Sequence, residues 1–254
     1  MFIDNDVLVA PGWLEALLTC ADQTGAWAVG PLYCMGELDP PVVHMAGGRA
    51  YIDERQGVRR FYEIQRFYGM PLSQVAAGLR REPCEVLEFH CMLVRTEAMR
   101  RLGALDEGLM SALENPDLCM SIRAAGGSMY LEPAAIVTYL PPPPCAWRDL
   151  PYFLLRWSVR WNRASLDRFR EKWNLPADDP SLRAQFRAWE GWRQRVLLPT
   201  VSSLRGILGW RLGGSVHGAL AAVEATINRW LFRDRRRAVR AGQPALAPEG
   251  VRHE

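Results

Sequence analysis

Four consecutive prolines, Pro141 to Pro144, divide the chain into two stretches of different texture. Each proline fixes φ and lacks an N–H, so a run of four favours an extended, stiff segment that neither a helix nor a sheet interior accepts. Leu140, just before the run, is pushed out of helical conformation as well. Upstream, short apolar runs alternate with helical periodicities. Downstream, from Trp147 to Arg240, the periodicity is helical, with breaks at Leu175-Pro176, Pro199 and Gly213-Gly214. The expected organisation is an α/β unit over 1–140, a proline linker at 141–145, a helical region over 146–240 and a disordered polar tail at 241–254. With 254 residues, the chain is long enough for a large buried core.

In the upstream unit, Met1-Phe2-Ile3 reads as the last turn of a buried strand whose earlier residues are missing. It runs directly into Asp4-Asn5-Asp6. After Pro11-Gly12, the spacing of Trp13, Leu14, Leu17, Leu18 and Ala21 predicts a short helix. Ala26 to Tyr33 reads as a buried strand. Residues 35–70 read as small strands and loops, with His44 to Gly48 as a turn. From 84 to 95 the pattern alternates: Leu87, Phe89, Cys91 and Leu93 share one face, and Glu88, His90 and Met92 the other. Thr96 is expected to cap a helix that ends at Gly103. A second helix is expected over Leu113 to Ala125, closed by Gly126-Gly127. Two further strands, Met129 to Leu131 and Ala135 to Tyr139, appear split by Pro133.

The acidic triplet carries the chemistry. If a strand continues through Asp4 and Asp6, both carboxylates project to one side; if the chain turns there, they can still converge on one cation. Hard oxygen donors at this separation suit Mg²⁺ or Mn²⁺, ions that complete their shells with substrate phosphates. A carboxylate pair at the C-terminal end of a strand is also where α/β sheets bind ligands. His90 lies on the polar face of its strand, where a structural role is the plainer reading.

The segment from Asp4 through Val7-Leu8-Val9 to Pro11-Gly12-Trp13-Leu14 resembles the metal-binding segment of family 2 glycosyltransferases. The resemblance continues through Phe89 to Arg95, Gly103-Ala104-Leu105-Asp106-Glu107, Glu114-Asn115-Pro116-Asp117-Leu118, Arg123 to Gly127, and Glu132-Pro133. It covers roughly residues 1–145, with a helical appendage after it. It implies a GT-A fold, Rossmann-like and here incomplete, because the upstream strands that bind the base and ribose would precede Met1. It also implies that Asp4 and Asp6 hold Mg²⁺ or Mn²⁺ and the diphosphate of a nucleotide-sugar donor, UDP-linked or another. Transfer to a carbohydrate or lipid-linked acceptor would then proceed with inversion. The family places its general base at the position of Asn115, and an amide cannot accept that proton. The role falls to Glu114, or to Asp117 one turn on, or the branch is inactive. Thr138-Tyr139 stands where many relatives carry a metal-binding histidine.

The net charge of +3 gives no argument for nucleic acid as a partner. Six cysteines without a C-x-x-C pair, and no secretory pattern, read as reduced thiols in a cytoplasmic protein. No run of eighteen apolar residues is present, so no membrane-spanning helix is expected. Eight of the ten tryptophans follow the proline run, interleaved with arginines. They read first as the core of a helix bundle rimmed by arginine, and second as a basic, aromatic surface for peripheral contact with an anionic membrane. Two other functions stand beside transfer. One is a non-catalytic glycosyltransferase-like binding or scaffold protein. The other is a haloacid-dehalogenase-type phosphatase, which needs a lysine near its phosphate, and Lys172 is the only lysine.

Overall fold

The structure is a computed structural model that describes all residues except 37–40, 111, 141–146, 198 and 233–254. The proline linker, Cys145, Arg233 to Arg237 and the expected disordered tail therefore lie outside the described residues. What is described is a mixed α/β unit with helices packed around its sheets.

The strands are β1 (Phe2–Ile3), β2 (Val7–Val9), β3 (Ala28–Met35), β4 (Val42–Met45), β5 (Gly48–Arg55), β6 (Val58–Gln65), β7 (Glu82–Cys84), β8 (Cys91–Val94) and β9 (Met129–Tyr139). The helices of the same unit are α1 (Trp13–Thr24), α2 (Leu72–Val75), α3 (Thr96–Leu102) and α4 (Glu114–Ala124). After the prolines come α5 (Leu150–Arg156), α6 (Val159–Lys172), α7 (Pro180–Leu197) and α8 (Pro199–Leu231). Seven strands form the main sheet in the order β1-β8-β3-β9-β2, with β4 on the far half of β3 and β7 on the near half of β9. The central pair, β3 and β9, is parallel; every other pairing in this sheet is antiparallel. Strand β3 reads apolar along its length because both of its faces are covered, and all but its last residue are buried. Strands β5 and β6 form a separate ribbon.

Several local expectations are corrected. The stub Phe2–Ile3 is not a buried strand: it pairs with β8 at one edge of the sheet, and Ile3 is exposed. The 84–95 alternation does not make one strand. It breaks between β7 and β8, and Phe89-His90 lies in a turn. His44 belongs to β4, and the turn falls after it at Ala46-Gly47, where Gly47 takes φ +65°. Thr96 is the first residue of α3, not its cap. The two strands expected on either side of Pro133 are one strand, whose register against β3 slips between Pro31 and Leu32. Pro133 sits in that bulge, where its missing N–H costs no ladder bond. Helix α8 runs through Gly213-Gly214; its break is at Gly209.

The helices beyond the prolines pack on the sheet unit. Phe169, Leu175 and Leu182 join the same core as Leu17, Phe61 and Ile122. Phe61 and Phe169 meet edge to face at 5.0 Å, a pairing worth about 1 kcal/mol beyond the area it buries. Asp179 caps α7 through the N–H groups of Ser181 and Leu182, and its other oxygen accepts from Phe61 N–H (2.9 Å). Much of the tryptophan content is used inside this layer: Trp157 lies 4.3 Å from Trp192, and Trp189 packs against the core, while Trp230 is 70% exposed. No described helix is long and apolar enough to cross a membrane.

Candidate functional site

Asp4, Asn5 and Asp6 form the connection between β1 and β2, which pair at opposite edges of the sheet. The chain therefore turns at the triplet instead of extending through it. The turn is pinned on both sides. Asp4 N–H donates to the carbonyl of His90 (3.2 Å), and Leu140 N–H donates to the carbonyl of Asp6 (2.9 Å). Because β2 pairs antiparallel with the last residues of β9, starting at Val7–Tyr139, the triplet lies at the C-terminal end of the parallel pair. Ligands collect at that end of an α/β sheet.

Donor groups converge there. The Asp4 carboxylate lies 2.7 Å from His90 Nδ1, and Asp4, Asp6 and His90 bring three ligand atoms within 4.8 Å of one another. Asp6 Oδ1 is buried with no hydrogen-bond partner among the described residues. A buried, uncompensated carboxylate oxygen costs free energy unless a cation or donor meets it, so this donor set fits a hard divalent ion. Tyr139 stacks on His90 with ring centroids 4.6 Å apart and holds the imidazole plane. Burial pushes the His90 pKa down, but the hydrogen bond to Asp4 and the charges of Glu88, Asp4 and Asp6 outweigh it, leaving His90 above its ordinary value. Burial and the two aspartates push Tyr139 up.

Glu114 and Asp117 open α4, yet they face different surroundings. Glu114 follows Leu113, a non-glycine residue in left-handed conformation (φ +69°), a strain of roughly 1–3 kcal/mol that clusters at functional positions. Its Oε2 is buried without a partner among the described residues, and Arg156 of α5 approaches its Oε1 at 3.6 Å. Burial raises the Glu114 pKa, Arg156 opposes the rise, and the charge of Asp4 adds to it, which places the two carboxylates within electrostatic reach. Asp117 is closed off. Its oxygens accept from Lys172 Nζ (2.7 Å) and Trp173 Nε1 (2.8 Å) at the end of α6. Lys172 is thus committed to Asp117, with Asp106 4.0 Å away, and supplies no partner to the triplet.

Asn115, where the resemblance expects a base, accepts a hydrogen bond from Phe89 N–H (3.2 Å). Its amide anchors the turn that presents Glu88 and His90. In the sequence His90 reads first as a structural residue, and His44, Glu88 and Arg156 are not marked as neighbours of the site. The shared polar face of Glu88 and His90 was the available signal. Nothing local in the sequence announces His44 or Arg156, which arrive from β4 and α5.

A cavity of about 410 Å³ lies between α6 and α7, lined in part by Arg163, Arg170, Arg183 and Arg187, and contains none of these residues. The five described cysteines are unpaired thiols. Burial pushes Cys119 and Cys91 each up to about 12, which leaves them protonated and unreactive at neutral pH.

No protein-family model matches the chain, and no characterised protein of known sequence matches it. Among solved structures it is similar to GalNAc-T7 with UDP, GalNAc and Mn²⁺, at 16% sequence identity and a TM-score of 0.39. The match covers 74% of this chain, which spans 37% of that one. A likeness at this level carries no argument about activity.

Proposed function

We propose that the chain is the later part of a family 2-type, GT-A glycosyltransferase that moves a sugar from a nucleotide-sugar donor to an acceptor hydroxyl with inversion. The observation that carries this reading is the convergence of Asp4, Asp6 and His90 at the C-terminal end of the β3/β9 pair, with Asp6 Oδ1 left unpartnered. The ordered downstream segments from Phe89 to Pro133 support it from the sequence side.

In this reading Asp4 and Asp6 hold Mg²⁺ or Mn²⁺, which when bound neutralises the charge of the donor diphosphate. Glu114 is the general base. Its raised pKa makes it a better proton acceptor than an ordinary carboxylate, and its unpartnered oxygen is free to receive the acceptor's proton. The acceptor oxygen attacks the anomeric carbon, the bond to the diphosphate breaks, and the proton ends on Glu114. Asp117, engaged by Lys172 and Trp173, is assigned a structural role. The phosphatase alternative has no lysine to offer, since Lys172 faces Asp117. Binding without turnover is the second reading, and one observation favours it: Asn115 occupies the base position and is itself used as a structural acceptor.

Isothermal titration with UDP and Mn²⁺ tests the proposal. The expected result is binding by the wild type that Asp6→Ala loses. Heat of the same size from both proteins would sink the assignment of the triplet.

A further inference from the structure

Glu88 is the pivot of a second donor set that sugar transfer does not use. Its side chain is buried, at 7% exposure, where an ionised carboxylate needs close compensation. Gln65 Nε2 donates to Oε1 (2.9 Å), which turns Oε2 toward two imidazoles. His44 Nε2 lies 2.7 Å from Oε2 and His90 Nε2 lies 3.6 Å from it. One ligand atom from each of the three residues falls within 4.8 Å of the other two.

The second of those distances is the informative one. At 3.6 Å it is too long for a hydrogen bond. His90 Nδ1 faces Asp4 (2.7 Å), which leaves Nε2 directed at the Glu88 carboxylate across a gap wide enough to take an ion. Two ligands held about 2.0–2.1 Å from one tetrahedral ion stand roughly 3.3 Å apart, and the observed separations of 2.7 and 3.6 Å straddle that figure.

We infer that His44, Glu88 and His90 form a transition-metal site of the zinc type, separate from the oxygen donors of Asp4 and Asp6. Two imidazole nitrogens and one carboxylate are a donor set that suits Zn²⁺, whereas oxygen-only sets suit Mg²⁺ and Mn²⁺. Two of the three ligands are braced as metal ligands usually are: His90 by Asp4 and Glu88 by Gln65. Only His44 lacks a brace among the described residues, its Nδ1 being buried without a partner. A neutral imidazole carries a single lone pair, so His90 serves this ion or the one at Asp4 and Asp6, not both at once. The inference does not depend on the transfer reading and needs no nucleotide.

The test is a titration of the full chain, freed of metal by a chelator, with Zn²⁺ alone. The wild type is expected to bind one ion without UDP, and Asp6→Ala to bind it as well. His44→Ala and Glu88→Gln should each weaken binding by at least roughly tenfold, since even the outer partners of a zinc ligand matter that much. Circular dichroism establishes that each variant is folded. Because His44 is buried, Co²⁺ replacement on the wild type provides a second reading: an intense visible spectrum of a tetrahedral ion is expected. The inference is overturned if His44→Ala binds Zn²⁺ as tightly as the wild type. It is equally overturned if Asp6→Ala alone abolishes binding, or if bound Co²⁺ gives only the weak spectrum of an octahedral ion. UDP and Mn²⁺ binding that survives in His44→Ala keeps the two sites distinguishable.

Discussion

Glu114 and Asp117 stand one turn apart on α4, carry the same charge, and look equivalent in the sequence. The structure treats them differently. Asp117 is 4% exposed with both oxygens met by Lys172 and Trp173, so its charge ties the helices beyond the prolines to the sheet unit. Glu114 keeps a buried oxygen with no partner among the described residues, beside a strained backbone and within reach of the charge on Asp4. A carboxylate whose hydrogen bonds are filled holds structure together. One left open at the end of a sheet is available to a ligand. The difference was made by α6, which supplies partners to one residue and not to the other.

The sharpest way to break this comparison is to neutralise each in turn. If Glu114 is the general base proposed above, Glu114→Gln should lower turnover by about 10²- to 10⁴-fold, the usual contribution of such a base, while leaving the melting temperature unchanged. Steady-state rates and thermal melts on the same preparations check both halves. Asp117→Ala should do the reverse. It leaves Lys172 and Trp173 without their acceptor and costs about 3 kcal/mol of stability, read from urea midpoints. If Asp117→Ala melts like the wild type yet loses turnover, the two roles have been assigned the wrong way round.

This division also shows how much could be read from the chain. Periodicity found α1, α3 and α4 and the ends set by Gly103 and Gly126, because helix spacing and positive-φ glycines are local properties. It joined 84–95 into one strand because alternating residues satisfy the pattern whether or not the backbone stays paired. The break there follows from a non-local bond, Phe89 N–H to Asn115. The sequence offers the triplet as a candidate cation site, and β1 and β2 pairing at opposite edges settles the choice between strand and turn. His44 and Arg156 were not legible at all. Each reaches the site across many residues of sequence, and only the packing of β4 and α5 brings it there.

A half-buried acid on the neighbouring ribbon extends the comparison to pH. Glu63 of β6 is pushed up to about 7 by burial and by the charge of Glu88, with the hydrogen bond from Gln185 opposing the rise. Its folded pKa lies above its unfolded value, so between about 4.5 and 7 the folded state holds more protons. Stability therefore falls as pH rises through that window, by at most about 1.4 kcal/mol per pH unit, and is level above it. Glu63→Gln keeps an acceptor for Gln185 and removes the slope. Its urea midpoint should match the wild type near pH 4.5 and exceed it at pH 8. Equal midpoints at pH 8 would mean that Glu63 is not held protonated.

The smallest effect concerns the partner of Glu114 across the proline boundary. Arg156 lies 3.6 Å from Glu114 Oε1, with both side chains partly exposed, so solvent screens the pair and its worth is about 1 kcal/mol or less. Its direction is still diagnostic. In the proposed role Glu114 serves as a base only when ionised, so activity would be present above its folded pKa and lost as pH falls through it. Burial has already moved that point above the ordinary carboxylate range, and Arg156 draws it back. Arg156→Gln should therefore shift the acid limb of kcat/KM upward by less than about one pH unit, with little change at high pH. A limb that moves downward, or one that stays in place when Glu114 itself is replaced by glutamine, would show that some other group sets the acid side of the profile.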